Sequence, residues 1–302
     1  MPISDIPGYD NVIAFGGSST EWCWNTKNSG WVAQLANRYS RRLDVFNRGF
    51  AGFNTRWSKH IFFSLFPEKS SSDESHESSD IQNSGDFPSF ILKRFASKRK
   101  QKTLLVTIML GVNDAALEFS PVHVPLEEFK QNMIEMILHV RDPSSKSYSP
   151  ETKIVLITPL PVCEPMWEDN CLKRKTRMDR RESFTKKYVD ATLEIGKALG
   201  VPVVNVFDGI KKEIEISKSK LLSEKSTTDT RWLGYNEFFL DGLHLNSKGN
   251  DILAKLLFES IDKNFPELQP KKMELFIPSA AEVIKFQHTQ NLAQRNSLKS
   301  KL

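Results

Sequence analysis

The sequence predicts an α/β protein, a three-layer sandwich in which helices cover both faces of a parallel sheet of about five strands. Short apolar segments rich in β-branched residues alternate along the chain with longer segments of helical period. Alternation at this spacing is typical of βαβ units, whose strands are parallel. The strand segments are largely apolar, as expected for strands buried on both faces. In such a domain we expect the ligand site beyond the carboxyl ends of the strands.

The strands are predicted from short apolar runs that end near Gly, Asn or Asp, and the helices from longer segments between them. The predicted strands cover residues 11–15, 44–46, 103–110, 153–158 and 201–207. The predicted helices cover residues 31–38, 125–140, 173–199 and 247–261.

Two changes in composition define the domain organisation. Residues 70–80 contain six Ser and four acidic residues, which predicts a solvated insert near residues 67–90 within a domain that covers residues 1–264. A plain loop and a phosphorylated regulatory segment both fit this composition. Residues 265–302 show no further strand pattern, so we predict a C-terminal extension that is partly helical over residues 279–286.

The overall composition excludes several classes of protein. The 302 residues are 39% hydrophobic and 26% charged, which excludes a collagen-like, coiled-coil or largely disordered chain. A net charge of +5 is too small an excess to indicate nucleic-acid binding. Cys23, Cys163 and Cys171 are too few and too scattered for a disulfide framework or a zinc site, and they indicate a reducing compartment.

The two ends of the chain carry expectations about targeting. The start lacks a basic segment followed by an apolar run, and no segment reaches the roughly 18 apolar residues of a membrane span. The chain finishes in Ser300-Lys301-Leu302, the tripeptide that the peroxisomal import receptor recognises. We therefore expect this receptor as a partner and a peroxisomal location, with a cytoplasmic one as the alternative. The sequence leaves both a monomer and a homo-oligomer open.

Three segments that follow predicted strands carry polar groups suited to acyl transfer. Ser18 comes after Gly16 and Gly17 on the turn that leaves the first strand, where its hydroxyl and its own N–H can project at the sheet edge. Gly52 follows the second strand and can expose its backbone N–H, while Asn113 follows the third and can donate from its amide. Convergent neutral donors of this kind stabilise a developing oxyanion.

A fourth segment, Asp241-Gly242-Leu243-His244, precedes the last predicted helix. The three-residue spacing lets the carboxylate orient the imidazole, fix its tautomer and stabilise its protonated form. Together with a serine, these groups are the ones that nucleophilic acyl transfer requires. The pattern therefore predicts a serine hydrolase that needs no metal and no organic cofactor.

The four blocks resemble those of the GDSL-type, or SGNH, hydrolases, which supply Ser, Gly, Asn and His. The resemblance covers residues 10–262 without the insert. It is closest to the isoamyl-acetate-hydrolysing esterase-like branch, through residues 47–57, 123–128, 157–159 and 241–245.

The resemblance implies the flavodoxin-like SGNH fold and a division of roles among the four blocks. Ser18 would be the nucleophile, and Asp241 and His244 would complete the triad. The oxyanion donors would be the backbone N–H groups of Ser18 and Gly52 and the side chain of Asn113. The resemblance also implies a small-molecule ester as the partner, with short acyl chains and acetate esters in particular.

The first block departs from the family pattern, because Gly17 stands where the family has Asp. The missing carboxylate cannot hydrogen-bond nearby backbone, and a second glycine is expected to loosen the turn that holds the Ser18 hydroxyl. We expect reduced or altered activity, and a catalytically impaired SGNH-fold binding protein is the alternative. Ser19 is a weaker candidate nucleophile, since it matches the apolar position after the family's serine.

The substrate pocket is the least defined part of the predicted site. Its candidate lining residues are Phe50, Phe53, Trp57, Pro161 and Trp167, although the same residue types suit a core. A nucleotide-binding loop is excluded after the first strand, since neither Gly-x-Gly-x-x-Gly nor Gly-Lys-Ser/Thr occurs there.

An alternative interpretation is a peroxisomal acyl-CoA thioesterase or lipase that uses the same triad. Acyl-CoA phosphates would then be attracted by a basic stretch, although a charge run of this kind more often forms a solvated helix face. The stretch comprises Lys173, Arg174, Lys175, Arg177, Arg180 and Arg181.

Overall fold

A computed structural model describes residues 9–68, 101–223, 231–275, 279–286 and 288–289. Its strands are β1 (Asn11–Gly16), β2 (Asp44–Gly49), β3 (Thr103–Met109), β4 (Lys153–Ile157) and β5 (Val203–Val204). They form one five-stranded sheet in the order β2-β1-β3-β4-β5, and all neighbouring strands are parallel. The first strand therefore lies between the second and the third.

Helices cover both faces of this sheet. They are α1 (Ser18–Glu21), α2 (Trp31–Arg38), α3 (Thr55–Leu65), α4 (Leu126–Arg141), α5 (Glu164–Lys173), α6 (Glu182–Leu199), α7 (Val206–Ser223) and α8 (Ser247–Asn264). Val12 and Ala14 of β1 belong to the core formed with α2, α7 and α8. Ile13 and Phe15 point to the opposite face and belong to the core formed with α3, α4 and α6. The predicted three-layer α/β/α fold is confirmed.

The last predicted strand is shorter than expected. Residues 201–207 were expected to form it, but only Val203 and Val204 pair with β4. Val206 begins α7, a helix absent from the prediction, and Val206 and Ile210 are buried one turn apart on its inner face. The apolar run at residues 203–207 thus belongs partly to a strand and partly to a helix, which periodicity alone does not separate.

The helix expected over residues 173–199 is interrupted. α5 begins earlier, at Glu164, and ends at Lys173, and α6 begins only at Glu182. Lys175 adopts a left-handed conformation with φ 54°, which an α-helix does not tolerate. The basic stretch is therefore mostly a loop. Helix α3 was also absent from the prediction, whereas α2, α4 and α8 agree closely with it.

Several expectations concern residues that the structure describes only in part. The predicted insert lies outside the described residues from position 69 onward, and so does Ser300-Lys301-Leu302. In the predicted C-terminal extension, Leu268 is buried and its carbonyl accepts a hydrogen bond from the Tyr39 hydroxyl at 3.0 Å. Residues 280–286 are helical. Among the helices in the described ranges, none combines the length and apolar character needed to cross a membrane.

Asn250, buried at the start of α8, joins the last helix to the beginning of the chain. Its Oδ1 accepts hydrogen bonds from the Cys23 thiol at 3.1 Å and from the Trp31 N–H at 3.4 Å. Its Nδ2 donates to the carbonyls of Asn28 at 3.2 Å and Leu245 at 3.4 Å. One side chain thus ties the segment after α1 to the loop that leads into α8.

We expect Asn250→Ala to lower the free energy of unfolding by about 2–4 kcal/mol, because several buried polar groups lose their partner. Urea unfolding measures this loss. Asn264→Ala is the matched control at the exposed end of the same helix, where Asn264 donates to the Ser260 carbonyl, and it should change stability by less than about 0.5 kcal/mol. Equal losses in the two variants would contradict the role of Asn250.

Candidate active site

Ser18, His244 and Asp241 form a continuous chain of hydrogen bonds at the carboxyl edge of the sheet. Ser18 is the first residue of α1, directly after β1, and its Oγ lies 2.9 Å from Nε2 of His244. Nδ1 of His244 lies 2.8 Å from Oδ2 of Asp241. When Nδ1–H donates to the carboxylate, Nε2 is left as an acceptor for the Ser18 hydroxyl. The structure thus brings together the three residues that sequence analysis placed in a triad.

A tight loop fixes the carboxylate relative to the imidazole. Oδ1 of Asp241 accepts hydrogen bonds from the backbone N–H groups of Leu243 at 3.0 Å and His244 at 2.9 Å. Burial alone would raise the pKa of Asp241, but hydrogen bonds from the His244 side chain and from these N–H groups outweigh it and lower the pKa. Gly242 allows the turn, since its φ is +89° and a Cβ would lie 2.6 Å from the Cys163 carbonyl. The carboxylate is therefore ionised and aimed at Nδ1.

The predicted oxyanion donors lie on the loops after β1, β2 and β3, next to one another in the sheet. The Asn113 amide faces the Ser18 turn, because a Cβ on Gly17 would lie 3.5 Å from Asn113 Nδ2. Gly52 lies in the exposed turn after β2, with φ +81° and open space where a Cβ would be. The Glu21 carboxylate accepts the N–H of Ala51 and so ties this turn to α1.

Comparison with known proteins identifies the family. The model of the GDSL-like lipase/acylhydrolase family matches residues 14–252. The chain belongs to this family. A human relative, isoamyl acetate-hydrolyzing esterase 1 homolog, is 30% identical over 262 residues, which are 86% of this chain and 84% of the relative. A GDSL esterase/lipase from Arabidopsis thaliana is 26% identical over 90% of this chain and 93% of its own.

A solved structure shows the same fold. It is described as a GDSL-like lipase from Parabacteroides merdae, and it aligns with a TM-score of 0.51 at 14% identity over 84% of this chain and 96% of its own. Family membership confirms the resemblance drawn from the four sequence blocks, and it makes the protein a carboxylic ester hydrolase.

Gly17, where the family pattern has Asp, does not require glycine for its backbone. Its φ is −93°, outside the left-handed region that favours glycine, and its ψ is −149°. A Cβ would lie 3.5 Å from Asn113 Nδ2, 3.7 Å from the Phe53 carbonyl and 3.8 Å from the Phe50 carbonyl, all ordinary contact distances. The Gly17 carbonyl accepts the N–H of Thr20 at 3.0 Å, which holds the turn. A side chain therefore fits at position 17.

Ser19 is excluded as the partner of the histidine, since the Ser18 hydroxyl occupies that place. The Ser19 side chain is buried, and its Oγ has no hydrogen-bond partner among the residues that the structure describes. Its carbonyl accepts the indole N–H of Trp31 at 2.8 Å. The Ser19 backbone thus joins α1 to Trp31 of α2.

The predicted lining residues lie in different surroundings. Phe53 packs between Phe50 and Trp57, with ring centroids 5.5 and 5.7 Å away, and Trp57 is 40% exposed. Phe50 and Phe53 flank the Gly52 turn, and Trp57 lies on α3. Trp167, by contrast, is buried on α5, with its ring 6.3 Å from that of His244. Pro161 is buried in the loop after β4.

Trp22 is a site residue that sequence analysis missed. Its ring lies 4.3 Å from the His244 imidazole at an angle of 45°, and the residue is 51% exposed. The sequence signal is the four-residue distance between Ser18 and Trp22. In a helix, residues four positions apart lie on the same side. Trp22 thus forms a half-open apolar wall beside the imidazole.

The basic stretch is only partly solvated, contrary to the expectation of a continuous exposed face. Lys173, Arg174, Lys175 and Arg177 are exposed. Arg181 is also exposed but pairs with Glu164. Arg180 is only 4% exposed, and its guanidinium donates to Asp179 and Asn113. Among the described residues, a phosphate would therefore find four exposed, unpaired cations of this stretch at most, and one of them, Arg177, lies over the Phe119 ring at 3.8 Å. In the described part of the chain, no group of three or more His, Cys, Asp or Glu side chains could hold a metal.

Asp114, next to Asn113, is a fully buried carboxyl group. Its Oδ1 accepts the N–H of Thr55 at 2.9 Å and the Thr55 hydroxyl at 2.5 Å. Its Oδ2 has no hydrogen-bond partner within the described ranges. Burial raises the pKa of Asp114 from 3.8 to about 6, against the lowering effect of the Thr55 hydrogen bonds. The carboxyl group thus fixes the start of α3 near the Asn113 loop, and its charged form is disfavoured.

We expect Gly17→Ala to raise the free energy of unfolding by about 0.4–1 kcal/mol, because alanine fits the native backbone and restricts the unfolded chain. Gly242→Ala is the matched comparison, and it should lower stability by about 2 kcal/mol or more because of its positive φ and the Cys163 carbonyl. Urea unfolding tests both. A loss in Gly17→Ala would show that residue 17 needs glycine.

The raised pKa of Asp114 predicts a pH-dependent stability difference. The folded chain holds the proton more tightly than the unfolded chain, so stability falls as pH rises from about 4 to 6 and is constant above. Asp114→Asn cannot ionise. Its stability relative to the wild type should therefore increase between pH 4 and pH 7 by on the order of 3 kcal/mol. Thermal and urea unfolding at several pH values measure this difference, and a difference independent of pH would contradict the assignment.

Proposed function

We propose that this protein is a serine esterase that hydrolyses small acetate-type esters through an acyl-enzyme on Ser18. The observation that carries the proposal is the hydrogen-bond chain from the Ser18 hydroxyl through His244 to the Asp241 carboxylate. This order of groups makes a serine hydroxyl nucleophilic near neutral pH. Membership of the GDSL-like lipase/acylhydrolase family supports an ester as the substrate.

The reaction begins when Nε2 of His244 accepts the hydroxyl proton and Ser18 Oγ attacks the ester carbonyl carbon. Negative charge develops on the carbonyl oxygen, which accepts hydrogen bonds from the N–H groups of Ser18 and Gly52 and from the Asn113 amide. His244 then gives the proton to the departing alkoxide, so that the C–O bond breaks and the acyl group stays on Ser18. A water molecule, deprotonated by His244, then attacks the acyl carbon. The C–O bond to Ser18 breaks, His244 returns the proton to Ser18 Oγ, and the acid is released.

The position of Trp22 supports an apolar alcohol portion. The leaving oxygen takes its proton from Nε2 of His244, so the alcohol departs beside the imidazole. Trp22 presents a half-exposed ring 4.3 Å from that imidazole, and a short alkyl chain can pack on it. The human relative is named as a homolog of an isoamyl acetate-hydrolyzing esterase, and the alcohol of that ester is a short branched alkyl chain. This similarity supports the same type of substrate here.

The test is hydrolysis of isoamyl acetate and of p-nitrophenyl acetate, butyrate and octanoate by the purified protein. We expect the highest kcat/KM among the p-nitrophenyl esters on acetate, and a loss of at least about 10³-fold in Ser18→Ala. Ser19→Ala is the matched control, since it removes the neighbouring buried hydroxyl that does not contact His244. It should retain activity within about threefold.

Other outcomes decide among the alternatives. Turnover by Ser18→Ala at the wild-type rate would overturn the acyl-enzyme mechanism. An increase of kcat/KM with acyl length would support the acyl-CoA thioesterase or lipase alternative. Complete inactivity of the wild type would support an SGNH-fold binding protein in which Gly17 marks the loss of catalysis.

A further inference from the structure

The side chain of Asn113 is held at both ends of its amide. Nδ2 donates to the Phe53 carbonyl at 2.8 Å, and Oδ1 accepts from Nη2 of Arg180 at 2.9 Å. A reversed amide would face the Phe53 carbonyl with an oxygen and the guanidinium with an NH₂ group, and both contacts would be repulsive. These two partners therefore allow one orientation, in which the NH₂ group faces the Ser18 turn and one of its hydrogens remains for a ligand.

Arg180 is itself fixed by a buried network. It lies in the loop between α5 and α6 and is 4% exposed. Its Nη1 donates to Oδ2 of Asp179, which also accepts the Ser120 hydroxyl at 3.0 Å. Oδ1 of Asp179 accepts the indole N–H of Trp167 at 3.1 Å. The guanidinium thus has a set position, with the Asp179 carboxylate on Nη1 and the Asn113 amide oxygen on Nη2.

A guanidinium bonded to an amide oxygen changes the amide as a donor. The positive charge draws electron density toward the oxygen and makes the N–H groups more polar, so that they bind an anion more strongly. The effect is large where water is excluded, and Asn113 is 5% exposed. Asp179 reduces the cost of burying the cation, because the two charges form a paired and hydrogen-bonded unit.

We propose that Arg180 is a positioning residue of the esterase reaction, which fixes the Asn113 amide and polarises its N–H groups toward the oxyanion that forms on Ser18. The proposal rests on the proposed function, since Asn113 matters in this way only if such an oxyanion forms. Arg180 acts through Asn113 and does not contact the substrate.

A double-mutant cycle on kcat and KM tests the proposal. Asn113→Ala should lower kcat by about 10²–10³-fold. Arg180→Met should lower kcat by about 10–100-fold, with KM within about threefold of the wild type, because the amide loses its fixed orientation. Asn113→Ala/Arg180→Met should be no slower than Asn113→Ala alone, since Arg180 has nothing left to position. Arg181→Met, a change to the exposed neighbouring arginine, is the control and should leave kcat unchanged.

Two further measurements separate positioning from a purely structural role. An alkyl boronic acid forms a tetrahedral anionic adduct with Ser18, and Arg180→Met should weaken its binding by the factor lost in kcat/KM. Arg180→Lys keeps the charge but not the planar fork, so it should recover only part of the rate. If Arg180→Met fails to fold, Asp179→Asn/Arg180→Met is the substitute, because it removes both charges of the pair. It should show the loss of kcat expected for Arg180→Met. Added to Asn113→Ala, it should lower kcat no further.

The outcomes distinguish this inference from the proposed function. A wild type without Ser18-dependent turnover would overturn both. An active wild type with unchanged kcat in Arg180→Met, or with losses that multiply in Asn113→Ala/Arg180→Met, would overturn only the role of Arg180. Unchanged binding of the boronic acid by Arg180→Met would also overturn only the role of Arg180.

Discussion

The position of β1 between β2 and β3 is the constraint on which the rest of the site depends. Parallel strands end at a common edge, so the loops after three adjacent strands emerge side by side. Ser18, Gly52 and Asn113 follow β1, β2 and β3, and they reach this edge from segments that are far apart in the sequence. Another strand order would separate the Ser18 turn from at least one of the other two loops. The strand order therefore brings Ser18, Gly52 and Asn113 to neighbouring positions at the sheet edge.

His244 does not follow any of these three strands. It lies 226 residues after Ser18, on the loop that precedes α8. The Asp241 carboxylate holds this loop by accepting the His244 N–H, and the packing of α8 against the core fixes its position. Asn250 bonds both to the segment after α1 and to the loop that carries His244. The hydrogen-bond chain thus exists only when the two ends of the domain are packed together. Stability of this packing and completeness of the site depend on the same contacts.

Local patterns in the sequence were sufficient for most of the fold and for the residues of the hydrogen-bond chain. Buried strands are apolar on both faces, and the polar groups at their ends stand out against them. Arg180 could not be found in this way, since a basic run looks solvated and only tertiary contacts with Asp179 and Asn113 show that it is buried. For Trp22 the spacing from Ser18 was a signal, but its closeness to His244 depends on how the loop before α8 packs against α1. Residues 203–207 fit a strand and a helix equally, and only pairing with β4 separates the two.

The Arg180 network also bears on the unusual Gly17. A Cβ at position 17 would lie 3.5 Å from Asn113 Nδ2, so the side chain of the family's Asp would begin next to the same amide. In this chain that amide is already held by a guanidinium on its oxygen and by the Phe53 carbonyl on its nitrogen. If Arg180 fixes the amide as we propose, the geometry of this donor does not depend on residue 17. The absence of the family's Asp is then compatible with a working oxyanion site.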